Sequence, residues 1–325
     1  TSILGAGRYT LSNAGAKEDA AVTGDLDVTG DLTIIGAGAG VTVIDAASLD
    51  RHFQVFRDAK LTLIGVTLTG GSVSGDGFGA GGGAIRSDRA TVELVDSVID
   101  DNHAGRDGGG VFVSGGSLIV SNTTVSNNSS GDDGGGIYTL GGTIDVIGST
   151  LQSNHANDVG GGIRGEYGII TVTNSTTELN TASGSGAGIV SDLGLLTING
   201  GTIEGNIAAF DAGGILNVDG TAYITDALIT GNRANHPTNP DPTIVHGGGG
   251  VSNYRGNVTI TGTTISNNVA VDASGGIATY DGGSVTVIDS QITGNSTENR
   301  GAGGIGALVS TVTITGNTLS GNQAS

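Results

Sequence analysis

The stretch GGGIYTLGGTIDVIGSTLQSN, residues 134–154, holds one full cycle of the pattern that organises this chain. It opens on a glycine bend closed by an aliphatic, Ile137, and ends on an aliphatic followed three residues later by asparagine, Leu151 and Asn154. Between these anchors Thr143-Ile144-Asp145-Val146 alternates polar and apolar, the period-two signature of a strand with one buried face. Both anchors recur along the chain. The bend aliphatic returns at Ile85, Val111, Ile137, Ile163, Ile189, Ile215, Val251, Ile277 and Ile305, with gaps of 26, 26, 26, 26, 26, 36, 26 and 28 residues. The asparagine returns at Asn102, Asn128, Asn154, Asn180, Asn206, Asn232, Asn268, Asn295 and Asn322; Thr177 stands where the aliphatic before Asn180 belongs. Eight residues before each asparagine lies Leu94, Val120, Val146, Val172, Ile198, Ile224, Ile260, Val287 or Ile314, a column with no polar member.

A unit of this length has no helical half and is too short for a propeller blade, but it suits one turn of three short strands joined by bends. The pattern predicts an all-β chain, a single-stranded right-handed parallel β-helix (solenoid) of about 26 residues per coil. Equivalent positions then stack at roughly 4.8 Å, so columns in sequence become ladders in space. The asparagines turn inward at a bend and hydrogen-bond their neighbours above and below, a structural role. Residues 1–325 form one domain, with regular coils over 82–325 and wider, irregular coils over 1–81, where Leu49, Phe53, Val55 and Phe56 are placed to close the core. The longer gap holds all three prolines, a loop thrown out at about 235–246 in which His236, Pro237, Asn239, Pro240, Asp241 and Pro242 form the first choice for a binding contact.

Composition agrees with a solenoid and excludes other classes. There are 63 glycines without a collagen triplet, 36% hydrophobic residues and only 3% aromatics, so burial comes from small aliphatics repeated along an axis. A formal charge of −19 repels nucleic acid and anionic membranes. Cysteine is absent, and no apolar run approaches a membrane span, so no direct membrane insertion is expected. With no initiator methionine or signal peptide in view, Thr1 reads as the start of a processed chain or an excised domain, and the last coil, ending at Ser325, shows no capping device.

The repeats resemble those of a known group. Gly82-Gly83-Ala84-Ile85 and the aliphatic-x-x-Asn motif resemble the GGA[ILV] and FxxN repeats of polymorphic outer membrane proteins, with Ile, Val or Leu in place of the phenylalanine. The opening, Leu4 to Leu11 and Gly30 to Gly38, is similar to secreted bacterial proteins of the CSLREA type with pectate-lyase-like β-helices; the CSLREA motif itself is absent. The resemblance implies an extracellular or cell-surface β-helix. It does not choose between adhesins, scaffolds and polysaccharide-cleaving enzymes.

An enzyme of this shape needs carboxylates converging on one face. The outward column offers Glu93 and Asp145, two coils apart with Ile119 between them. Asp100-Asp101 resembles the paired aspartates of polygalacturonases, without that family's histidine and lysine signatures. His103 and His155 are likewise two coils apart, too far to share one ion, and read as solvated with His236 and His246. For calcium, the candidate oxygens are Asp100, Asp101, Asp132 and Asp133, expected at one bend of neighbouring coils, or Asp25, Asp27 and Asp31. No cofactor is required by the pattern. Threonine ranks are too broken for ice binding, and the N-x-[ST] sequons follow from composition. The sequence thus predicts an extracellular structural or adhesive solenoid, assembling head-to-tail with itself or binding polysaccharide. The alternative is a carbohydrate-active enzyme, a polysaccharide lyase or glycoside hydrolase acting on acidic polysaccharide.

Overall fold

The computed structural model describes residues 1–12, 24–235 and 247–325. The coil that begins with this stretch forms four strands, not three: Ile137–Leu140, Thr143–Ile147, Thr150–Gln152 and His155–Ala156. The first two join a 21-stranded sheet, the third a 12-stranded sheet and the fourth a 9-stranded sheet. A Gly141-Gly142 turn splits the long face here, whereas Ile85–Val95 and Val111–Ser121 cross it as single 11-residue strands. Pairing is parallel throughout, and Ile137 meets Ile163, Ile144 meets Ile170 and Leu151 meets Thr177, one repeat on. The chain is a parallel β-solenoid of about 11 turns. The longer gap keeps register across itself, Ile215 pairing Val251.

The seam column packs as its composition dictates. Leu94, Val120, Val146, Val172, Ile198, Ile224, Ile260 and Val287 are all at most 1% exposed and belong to one continuous core. Two corner columns turn the chain through the left-handed region, where Asn, Asp and Gly are least strained. One reads Asp96, Asn122, Gly148, Asn174, Gly200, Asp226, Gly262, Asp289 and Gly316; the other precedes each ladder asparagine and admits Leu179 at φ 55°. That second corner is what swings each asparagine inward.

Inside, each asparagine bonds in the same way. The Asn154 backbone N–H and Nδ2 both donate to Asn180 Oδ1, at 2.9 and 3.0 Å, and Asn180 repeats this onto Asn206. The other Nδ2 hydrogen goes back to a carbonyl of the preceding coil, Leu151 O for Asn180. A second ladder, not foreseen from sequence, runs through hydroxyls at the neighbouring corner: Ser97 N–H donates to Thr123, Thr123 N–H to Ser149, and Ser149 N–H to Ser175.

Thr177 breaks the aliphatic column as the pattern indicated, and its Oγ1 is buried without a hydrogen-bond partner. Thr177→Val, which swaps that hydroxyl for a methyl in the same volume, is expected to stabilise the chain by about 1–2 kcal/mol. An unchanged or lowered urea midpoint would contradict this account.

The N-terminal coils are wider, with seam partners 29 and 31 residues apart (Ile34 to Leu63, Leu63 to Leu94). Phe53 and Val55 do not close the end of the core. They lie fully inside it, Phe53 between Leu26 and Ile85, because a further strand, Leu26–Val28, stacks outside them. The outermost coil is Ser2–Ile3 and Gly7–Thr10, paired to Ile34–Ile35 and Thr42–Asp45.

Candidate functional site

The cleft with convergent charge lies beside these wide coils, lined by Leu49 and Asp50 on one side and by the segment from Ser72 to Ala80 on the other. Its volume is about 780 Å³, and Asp25, Asp50, Arg51, Asp76, Arg86 and Asp88 supply its charges. Arg86 is fully engaged: it forks onto Asp88 with two 2.8 Å bonds, donates to Phe78 O, and lies 4.8 Å from the ring centres of both Phe78 and Phe112. Arg51 is 6% exposed, donates to Gly79 O and stands 3.2 Å from Asp25. Burial pushes the Asp25 carboxyl up to about 7, against the pull of Arg51 and with help from Asp50 and Asp27. A carboxyl that holds a proton near neutrality inside a cleft can act as a general acid or base. Next to it, His52 is fully buried and pushed down to about 4 by desolvation; its Nε2 faces the Ile44 and Thr69 carbonyls, so it is a neutral structural group.

A second constellation lies on the same face, joined to the cleft through the register column Arg86, Phe112, Tyr138 and Arg164. Phe112 and Tyr138 stack at 5.4 Å. Arg164 binds Asp133 at 2.9 Å and also Glu166. Carboxylate oxygens of Asp107, Asp132 and Asp133 lie within 4.8 Å of one another. Desolvation raises both Asp107 and Asp133, the latter to about 7, while Arg106 and Arg164 partly offset it. Arg106 and the Asp133 N–H engage Asp107, and Arg164 and the Val159 N–H engage Asp133, so the group has the character of a structural ion-pair network.

The calcium grouping read from sequence is corrected by this placement. Asp100 and Asp101 precede the asparagine bend, and Asp100 accepts from Ser126 Oγ and Asn127 Nδ2. Asp132 and Asp133 lie beyond it, at the corner leading back to the long sheet, and their partner is Asp107. The offset from the ladder asparagine, two residues before against five after, carried that distinction. Of the other trio, Asp25 enters the cleft with Asp27 close enough to raise it, while Asp31 is exposed at the start of the next strand, paired to Lys60. Removing divalent cations with a chelator is expected to leave Tm unchanged, since Arg106, Arg164 and Arg51 already offset part of the charge of these clusters. A fall in Tm that calcium restores would show that an ion is needed.

Glu93 and Asp145 are not brought together. Register places Ile119 between them, and Glu93 is bound by Lys60 at 2.8 Å and by Thr62 Oγ1. His103 and His155 are separated by Ser129 in the same way, each bonded to a hydroxyl of the next coil. His236, Pro237, Asn239, Pro240, Asp241 and Pro242, with His246, lie outside the described residues.

Fold and repeat together define a parallel β-solenoid repeat protein with an acidic, arginine-bridged lateral face. Comparison with family models, characterised proteins and solved structures finds no match.

Proposed function

We propose that this chain is an extracellular structural and adhesive solenoid, akin to the bacterial surface β-helices its GGA[ILV] and aliphatic-x-x-Asn repeats resemble, with surface polysaccharide and further copies of itself as partners. The observation that carries this reading is the unbroken asparagine ladder from Asn102 to Asn322, beside which the outward Glu93 is held by Lys60 and kept apart from Asp145 by Ile119. Such a chain invests its sequence in axial continuity. No cofactor is needed for that role, and calcium would act only as an accessory to the acidic corners.

One observation favours a second reading, a carbohydrate-active enzyme: the cleft around Asp25. Four aspartates against two arginines leave its lining net negative, which suits a neutral sugar better than an acidic one. A single screen separates the two. The purified chain, with and without calcium, is incubated with pectin, alginate and neutral polysaccharides. The structural reading expects binding without release of reducing or unsaturated ends. Release abolished by Asp25→Asn would replace it with the enzymatic one.

A further inference from the structure

The second half of the long sheet changes character after Asp145. Five successive coils, with the strands Ile169–Thr173, Leu195–Asn199, Thr221–Thr225, Asn257–Thr261 and Ser284–Ile288, stack in register and turn three side chains each outward. None of those fifteen side chains is charged and eight are threonine, in a chain of formal charge −19. Acidic residues return at the corners, with Asp219 and Asp226. At the edge of this face two coils place Tyr167 and Leu193 in the left-handed region, at φ 53° and 52°, where the equivalent corners from Arg89 to Asp281 otherwise hold Arg, Gly or Asp. Both side chains are exposed, Tyr167 by 64% and Leu193 by 47%, and so are Ile169 and Tyr223 on the face itself. The Cβ of a bulky residue disfavours this backbone region, and an apolar side chain left in water gains nothing by it. Stability alone therefore does not select Tyr167 and Leu193, and exposed apolar groups gathered on one face mark a contact site.

We propose that this face binds a neutral linear polysaccharide, with Tyr167, Ile169, Leu193 and Tyr223 as apolar anchors and the threonine hydroxyls as hydrogen-bonding partners. This rests on the adhesive reading above and gives it a site and a ligand class. The C–H faces of sugar rings pack on aromatic and aliphatic side chains, while their hydroxyls exchange hydrogen bonds with side-chain hydroxyls. Threonine is β-branched and stiff at χ1, so its hydroxyls stand in ranks about 4.8 Å apart along the axis and cost little to order. Tyr167 and Tyr223 lie roughly 15 Å apart on a diagonal by ladder spacing and strand rise, room for several sugar rings.

Charge and area select this occupant over others. An acidic polysaccharide would find no cation among the outward residues of these five strands, and the carboxylates at the corners would repel it. An added β-strand has nowhere to pair, because all five strands are already paired on both sides. A second copy would bury too little: five coils by five residues span roughly 20 by 15 Å, about 300 Å², well below the ~800 Å² per partner of a standard interface. A strip of that shape suits one polymer chain.

Co-sedimentation with insoluble cellulose, mannan and chitin, three neutral linear polymers, tests the site at low and high salt and against soluble alginate as competitor. The triple variant Tyr167→Gly/Leu193→Gly/Tyr223→Thr gives each position a residue that other coils carry there, such as Gly141 and Thr197. Its urea midpoint is expected to hold or rise, since glycine relieves the left-handed backbone. The unaltered chain is expected to bind at least one of the three polymers equally at both salts. The triple variant should bind it at least about tenfold more weakly, as loss of the central anchors of a small site does. Ile207→Thr, which removes an exposed aliphatic from another face, should bind as the unaltered chain does. Binding that survives the triple variant overturns the face and leaves the adhesive reading standing. Binding that salt or alginate abolishes overturns the neutral ligand. Self-association that the triple variant abolishes, without polysaccharide binding, gives the face to a second copy instead, and no sedimentation with any of the three polymers overturns the site. The adhesive reading falls separately, on product release in the polysaccharide screen.

Discussion

Asn180→Ala is expected to destabilise the solenoid by about 3–5 kcal/mol, because it strands several buried polar groups at once, each worth roughly 1–3 kcal/mol. Asn180 Oδ1 accepts both the N–H and an Nδ2 hydrogen of Asn154, and its own Nδ2 donates to Leu151 O and Asn206 Oδ1. Alanine leaves the two donors of Asn154 and one acceptor on Leu151 unpaired in a site with no solvent exposure. Asn180→Asp keeps the acceptor but loses both donors and buries a charge between two asparagines, so it is expected to be no better. Asn322→Ala is the internal comparison. It stands in the last coil, partly exposed, where water can replace the lost bonds, and should cost about 1 kcal/mol or less. Urea unfolding of the three variants decides the matter, and equal small shifts for Asn180→Ala and Asn322→Ala would remove the ladder from the account of stability. Since neighbouring coils are coupled only through shared faces, Asn180→Ala should also broaden the transition by uncoupling the two halves.

The same asparagines show why so much of the fold could be read from sequence. Residues one coil apart share one environment, so a requirement such as an inward acceptor at a bend is written nine times over, and Thr177 stood out because its neighbours agreed. The long gap after Ile215 could be placed at a corner for the same reason, and Ile215 does pair Val251. The cleft was not legible, since Asp25, Arg51 and Arg86 come from the wide coils, where no repeat fixes which residues become neighbours. Asp107 was missed for another reason. Likeness groups Asp100-Asp101 with Asp132-Asp133, whereas their offsets from the ladder asparagine put them at different corners. The second ladder of hydroxyls was hidden by its own tolerance, as Gly201 and Ala227 interrupt it without breaking the coil.

Stability of this chain is expected to fall as pH rises from about 4.5 to 7, the reverse of the usual trend for a protein whose carboxylates are paired. Three aspartates, Asp25, Asp133 and Asp211, are pushed up to about 7 from an ordinary value of 3.8, with burial the largest cause in each and the sole cause for Asp211. Between those values the folded chain holds protons that the unfolded chain has released, so each group removes up to ~1.4 kcal/mol of stability per pH unit across that window. His52 works in the opposite direction. Its folded value of about 4 lies below the ordinary 6.5, so it stays neutral where the unfolded chain is protonated and adds stability as pH rises through the same range. Three groups against one leave a net loss of roughly 2–3 kcal/mol per pH unit at the steepest point. Below about pH 4 the slope turns over, because Asp45, held below its usual value by the backbone N–H of Ala47 and by Arg8, gains its proton and loses those bonds. The expected optimum therefore lies near pH 4 to 5, close to the sequence pI of about 4.2. Asp211→Asn isolates one contribution. With no hydrogen-bond partner on Oδ1 and no charge raising or lowering it, its replacement by a neutral amide should raise the urea midpoint at pH 8, leave it nearly unchanged at pH 4, and remove about a third of the carboxyl slope between. A wild-type midpoint that climbs steadily from pH 4.5 to 7, or an Asp211→Asn effect that is the same at both ends, would show that these carboxyls are ionised and solvated in the folded chain.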